Sequence, residues 1–219
     1  MAAGNQKSFV YIDGYNWYHA VFKNNPEWKW INIQSYFEAL RPHDNIVAVK
    51  MFSAMIDPSN LGSDARERQK RYFDELRTLP KVKIILGAFQ NREVTCKANG
   101  CKYSFQEEKK TDVNIAVELM SDAISGACDS VYIVSGDSDI QPVVEWIAKN
   151  KPEIKIAVYV PSLKNDQPFR RTDYYKTKGL AVSCTFLPLD NIKDHQLPNI
   201  VKLSHGIAVR PHLWSAINK

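Results

Sequence analysis

The sequence predicts an α/β fold, a three-layer sandwich in which a central, mostly parallel sheet is flanked by helices. Short apolar runs alternate with stretches of helical periodicity almost throughout, the pattern of parallel strands joined by helical crossovers. In two of these runs the apolar residues give way to an acid at a turn, and a helix pattern follows at once. Internal repeats, low-complexity tracts and linkers are lacking, which points to one domain.

Ser8 to Ile12 is the first strand, ending in Asp13-Gly14-Tyr15-Asn16, with a helix through Trp17, Tyr18, Ala20, Val21 and Phe22. A polar loop with Pro26 precedes a second helix at Ile33 to Leu40, and Ile46 to Ser53 reads as a buried strand. Leu61 to Leu79 places Ala65, Tyr72, Phe73, Leu76 and Leu79 for one buried stripe. Its other face carries Arg66, Arg68, Lys70, Arg71 and Arg77 interleaved with acids, the composition of a solvated face. Val82 to Phe89 is a strand, and Gln90 to Gln106 is a hairpin whose turn signal is Asn99-Gly100.

After Glu107 to Asp112 comes a helix with Val113, Ala116, Val117, Met120, Ile124 and Ala127 on one expected buried face, and Thr111 or Asp112 as its cap. Val131 to Val134 then runs into Ser135-Gly136-Asp137-Ser138-Asp139, and Ile140, Val143, Val144 and Ile147 give the next helix its period, with Pro142 in the first turn. Ile154 to Val160 is a strand, Phe169 to Tyr175 a short helix and Ala181 to Leu187 a last strand. The segment from Pro188 to Lys219 has little periodicity and is expected to wrap the surface.

Composition narrows the class. A 44% hydrophobic and 24% charged chain is that of a globular protein, and no apolar run approaches the ~18 residues of a membrane span. Met1 to Lys7 leads straight into a strand without a signal-peptide pattern, so a cytoplasmic location is expected. Cys96, Cys101, Cys128 and Cys184 form no disulfide framework. The net charge of +5 leans mildly toward polyanionic partners.

The chemistry lies in the acids. Asp13 and Asp137 end two strands and Asp112 opens a helix, so neighbouring strands would bring the three to one crevice at the carboxyl edge of the sheet. Clustered carboxylates repel unless a cation or a shared proton relieves them, and an Asp and Asn set suits a hard cation such as magnesium or manganese. No His or Cys stands in these turns to favour zinc. The G-x-x-x-x-G-K-[ST] loop, a G-x-G-x-x-G turn after a strand and a G-x-S-x-G elbow are all missing. Asn16 and Tyr15 also stand where a haloacid-dehalogenase-type phosphatase would carry a second Asp.

Tyr11-Ile12-Asp13-Gly14-Tyr15-Asn16, Lys110-Thr111-Asp112-Val113 and Val134-Ser135-Gly136-Asp137-Ser138-Asp139 together resemble the three motifs of the NYN domain family, a branch of the PIN-like nucleases. Leu197-Pro198-Asn199 and Arg210 to Trp214 resemble the end of its LabA-like members. The resemblance implies a PIN-like catalytic domain over residues 1–187, with 188–219 as a C-terminal extension packed on it. It implies a metal site of Asp13, Asp112 and Asp137 holding Mg2+ or Mn2+, with Asp139 beside it, Asn16 orienting a ligand or water, and Ser135 supporting the turn at the substrate side. The activity implied is hydrolysis of RNA, single-stranded, by a metal-activated water.

Phosphate or base contacts are expected from Tyr15, Lys110, Lys164, Arg170 and Arg171, with Trp17 open to either a core or a surface role. Glu118 is off the predicted stripe and reads as a solvated or structural acid. Cys96 and Cys101 flank the hairpin turn at a spacing longer than most zinc hairpins, with no second pair, so two plain thiols is the competing reading. Two other functions fit the same acids: a binding module for RNA or protein that retains the pocket, and a metal-dependent enzyme for a nucleotide or other small molecule. A homodimer is left open, and no membrane partner is expected.

Overall fold

Apolar residues on successive positions of each strand point to opposite faces, so a strand buried on both sides must be apolar throughout. Lys7–Asp13 (β1) and Ser130–Val134 (β6) are of this kind. In the computed structural model, which describes residues 6–57, 63–96, 100–163, 173–203 and 206–215, they lie at the centre of a six-stranded sheet. The sheet is completed by Asn45–Ser53 (β2), Val82–Leu86 (β3), Lys155–Val160 (β7) and Val182–Phe186 (β8) in the order β3-β2-β1-β6-β7-β8. Every pairing in it is parallel.

Helices cover both faces. Val10 and Ile12 pack toward Gly14–Trp17 (α1), Ile33–Leu40 (α2) and Ser63–Leu76 (α3), in a core with Trp17, Phe37, Phe73 and Leu76. Phe9 and Tyr11 pack the other way, toward Thr111–Ser125 (α4), Gln141–Asn150 (α5) and the short Tyr174–Thr177 (α6), with Leu119, Val144 and Ile147. This is the expected three-layer α/β sandwich. Among the described residues no helix is long and apolar enough to cross a membrane.

Several elements depart from the pattern read in the sequence. The predicted Val82–Phe89 strand stops at Leu86, and Ala88–Thr95 (β4) pairs instead with Lys102–Lys109 (β5) in a separate antiparallel hairpin. Gly87 marks the break: a Cβ there would lie 2.6 Å from Thr111 Oγ1 and 2.7 Å from Lys109 O, so only glycine lets the chain cross the start of α4.

The buried face of α4 is Ile115, Leu119 and Ala123; of the predicted face Ala116, Met120 and Ala127 pack against the core at its margin, whereas Val113, Val117 and Ile124 are exposed. The helix is apolar on more than one side, and periodicity cannot choose between two stripes. The first helix also continues differently from expectation, passing from α1 into a π turn over Tyr18–Phe22.

The C-terminal segment does more than wrap the surface. Ile192 and Leu197 join the core, Trp30 Nε1 donates to Pro198 O at 2.8 Å, and Asn32 N donates to His195 O at 2.8 Å. Beyond them Ile200–Leu203 (β9) and Gly206–Val209 (β10) form an antiparallel hairpin. The predicted helix from Phe169 begins outside the described residues, within which α6 starts at Tyr174.

Candidate active site

In a doubly wound sheet the chain turns outward in opposite directions from two neighbouring strands, and the loops leaving their carboxyl ends splay apart into a crevice. Here those strands are β1 and β6, paired in parallel with Ile12 opposite Val134. Asp13 follows Ile12, and Ser135 to Asp139 follow Val134. The sheet order therefore brings the first and third acidic turns to the same switch point.

Hydrogen bonds lock the two turns together. Asp13 caps α1, with Oδ1 accepting from Asn16 N at 3.0 Å. Its Oδ2 accepts from the Ser135 hydroxyl at 2.9 Å, and Ser135 Oγ accepts from Asp137 N at 3.0 Å. Asn16 Oδ1 accepts from Gly136 N at 2.9 Å, so the Asp and Asn of the first motif both hold the third. Gly14 between them is forced by packing: a Cβ would stand 2.7 Å from Phe52 O in the neighbouring strand.

The acids feel one another. Burial pushes the Asp13 carboxyl up to about 6; bonds from Asn16 and Ser135 pull it down, and the charges of Asp112 and Asp137 raise it further. Asp112, half-buried in the first turn of α4, is also raised, by its own burial and then by Asp137 and Asp139. A cluster whose members suppress one another's ionisation stores electrostatic cost that a cation would relieve.

The donor set is all oxygen and suits a hard cation. No group of three or more His, Cys, Asp or Glu among the described residues is placed to enclose a metal by itself. A magnesium-like ion that retains its waters needs only one or two carboxylates, so the residues fit such an ion rather than a closed all-protein cage.

The remaining predicted residues separate. Asp137 is half-buried and its Oδ1 accepts from Asp139 N at 3.0 Å, so Asp137 shapes the turn. Asp139 is exposed and lies ahead of α5, whose N-cap Ile140 has no side-chain capping bond. Ser135, expected to face substrate, is buried between Asp13 and Asp137, and its role is positioning.

Tyr15 is exposed beside the site and meets the His19 ring at 4.3 Å, tilted by 48°, whereas Trp17 is core. Lys110 is exposed at the N-cap of α4 with φ 75, the one left-handed non-glycine among the described residues. Lys164, Arg170 and Arg171 lie outside the described residues. Glu118 is a structural acid, paired with Lys50 at 2.6 Å and Lys83 at 3.0 Å. Cys96 N donates to Cys101 O at 2.8 Å, which sets the two cysteines opposite each other at the base of the hairpin turn.

The sequence reading did not find a cavity of about 210 Å³ that starts at Gly14 and Tyr15 and reaches Ser53 and Ala54 at the end of β2. Its lining includes Arg68 and Gln69 of α3 and Trp214 of the C-terminal segment. Arg68 was hidden in a row of basic residues, and nothing local tells that Trp214 folds back beside α1.

An acidic crevice at the switch point of an all-parallel sheet, held by an Asp-Gly-x-Asn turn, defines an α/β layered protein with clustered carboxylates at the sheet's carboxyl edge. The chain belongs to the NYN domain family, whose match covers residues 7–176. It is 29% identical over 185 residues to the 6-hydroxy-3-succinoylpyridine 3-monooxygenase HspA of Pseudomonas putida (strain DSM 28022 / S16). That match takes in 70% of this chain and 59% of the relative, so the chain spans less than two thirds of that protein's length.

Among solved structures it is similar to a protein of unknown function, VPA0982, from Vibrio parahaemolyticus RIMD 2210633, with a TM-score of 0.51 at 17% identity over 88% of this chain and 96% of that one. This likeness concerns the fold alone. T5 D15 protein co-crystallized with metal ions is more remote, at a TM-score of 0.36 and 10% identity over 80% of this chain and 61% of that one.

Proposed function

We propose that this protein is a divalent-metal-dependent ribonuclease that hydrolyses phosphodiester bonds of single-stranded RNA. The observation that carries the reading is the joined pair of turns at the β1–β6 switch point, where Asp13 and Asn16 are bonded to Ser135 and Gly136 while Asp112 and Asp137 raise the proton affinity of Asp13. Membership of the NYN domain family supports it.

One or two of Asp13, Asp112 and Asp137 would hold Mg2+ or Mn2+, which when bound supplies Lewis acidity toward a phosphate oxygen and lowers the pKa of a water. Ser135 and the Asn16 amide N–H fix the Asp13 carboxylate, and Asn16 Oδ1 fixes the turn that carries Asp137. Lys110, exposed at the N-cap of α4 two residues before Asp112, offers a cation for phosphate, and Tyr15 an exposed ring for a base. Purified wild type given Mn2+ is expected to cleave a panel of unstructured RNAs, and Asp137→Asn to lose cleavage while keeping the fold. A wild type that leaves the whole panel intact, with the metal present, removes the enzyme assignment.

A second reading is favoured by one relative, which is named as a monooxygenase of a small pyridine compound. In that reading the same acids serve a metal-dependent enzyme acting on a small molecule. Product analysis with mononucleotides against oligonucleotides separates the two.

A further inference from the structure

The cavity beside α1 has a composition and shape that RNA cleavage at the acids does not account for. At about 210 Å³ it exceeds the ~150 Å³ apolar cavity that takes up benzene, and it lies below the ~300 Å³ at which drug-sized ligand pockets begin. It therefore accommodates one ring with a substituent, not two stacked bases.

Its walls are aromatic. Trp17 and Phe22 lie 4.9 Å apart between ring centres, and Tyr72 meets Trp214 edge to face at 6.1 Å. Trp214 is held there by its own backbone: Arg210 donates to Trp214 O through Nε at 3.0 Å and Nη2 at 2.6 Å, and from Nη2 also to Glu27 O at 2.6 Å. The C-terminal segment is thus tied down as a wall.

Two cations give the cavity direction. Arg68 and Lys29 line the cavity, and neither forms an ion pair among the described residues; Lys29 sits 5.0 Å from the Tyr18 ring centre. The π turn over Tyr18–Phe22 contributes Tyr18, His19 and Phe22 to the lining, and such turns recur at ligand sites. The cavity opens at the same sheet edge as Asp13, since Gly14 and Tyr15 belong to both.

We infer that this cavity is a subsite for a single flat aromatic ring bearing an anionic group, with the ring between the aromatic walls and the anion toward Arg68 and Lys29. The chemistry is shared by a nucleobase carried on its phosphate and by a free aromatic acid. It deepens the acid-site reading by naming what stands next to the reacting group, and it rests on that reading for the role of the ring but not for its binding.

The test is calorimetry on the full chain in chelator, with adenosine and uridine 5′-monophosphates, ribose 5-phosphate and benzoate as probes. At least one ring-bearing anion is expected to bind at least tenfold more tightly than ribose 5-phosphate. Ala65→Trp, which fills the cavity from α3, is expected to weaken it at least tenfold. Arg68→Gln, which removes one of the two cations, is expected to weaken it about two- to tenfold. Nucleotides binding above benzoate assign the subsite to a base, and the reverse order assigns it to a free aromatic acid.

Ribose 5-phosphate binding as tightly as the rings overturns the proposal. So does affinity for the rings that both variants leave unchanged while their thermal unfolding shows them folded. Because the titration is metal-free, ring binding without RNA cleavage sinks only the nuclease reading, and cleavage without ring binding sinks only this one.

Discussion

Asp13→Asn is expected to make the metal-free protein more stable while removing its function. Asp13 is 5% exposed, and its environment pushes the carboxyl up to about 6, against ~3.9 for an aspartate in an unfolded chain. The native state thus holds this proton more tightly than the unfolded one. The corresponding stability is complete below the unfolded value and is lost as the pH climbs through about 6.

Roughly two decades of proton affinity amount to ~3 kcal/mol of destabilisation at pH 8 and about half that at pH 5. Asparagine keeps the shape, still accepts from Asn16 N, and can donate to Ser135 Oγ where the carboxylate accepted. Urea denaturation in chelator is expected to show Asp13→Asn ahead of wild type by about 2–3 kcal/mol at pH 8, with the gap roughly halved at pH 5. Added Mn2+ is expected to raise the stability of wild type and leave the variant unmoved. A variant less stable than wild type at pH 8 would mean that Asp13 is held as a structural carboxylate by its hydrogen bonds, and the reasoning would fail.

Three further substitutions probe other parts of the structure. Lys50 is buried and bridges Glu118 and Asp122, which also accepts from Tyr11 at 2.5 Å; Lys50→Met leaves Glu118 with Lys83 alone and Asp122 with Tyr11 alone and is expected to cost about 1–3 kcal/mol in urea denaturation. Glu75 is fully buried with neither oxygen bonded among the described residues, and burial, with a smaller contribution from Asp74, pushes it up to about 7. Its proton is held more tightly in the native state, so stability falls as pH rises through about 7, and Glu75→Gln is expected to flatten that fall between pH 6 and 8 in a series of melts. Lys110→Gly releases a left-handed backbone at φ 75, for an expected gain of about 1 kcal/mol, and weakens RNA binding with a smaller salt dependence in fluorescence titrations.

Much of the architecture is legible because the strands are buried on both sides and so spell out continuous apolar runs. The adjacency of Asp13 and Asp137 follows from a conditional argument, that their strands be neighbours, and the β1–β6 pairing supplies the condition. What periodicity cannot decide is direction. In α4 it favoured Val113, Val117 and Ile124 over Ile115, Leu119 and Ala123, because both sets recur at helical spacing and only the packed sheet selects one.

Hydrogen-bond roles were similarly out of reach. Ser135 was expected at the substrate side and Asp139 beside the metal, yet the burial of Ser135 between Asp13 and Asp137, and the bond from the Asp139 amide to Asp137, depend on how the turn after β6 folds over Asp13. The cavity wall at Trp214 is a long-range arrangement with no local signature, nearly two hundred residues from the α1 residues that line the same cavity.

Locating manganese in a crystal by its anomalous scattering tests the central claim most directly. The account predicts a peak at the β1–β6 switch point within roughly 2.0–2.5 Å of a carboxylate oxygen of one or two of Asp13, Asp112 and Asp137, with waters filling its remaining positions. Absence of a peak at saturating manganese, or a peak bound elsewhere with this crevice empty, would contradict it.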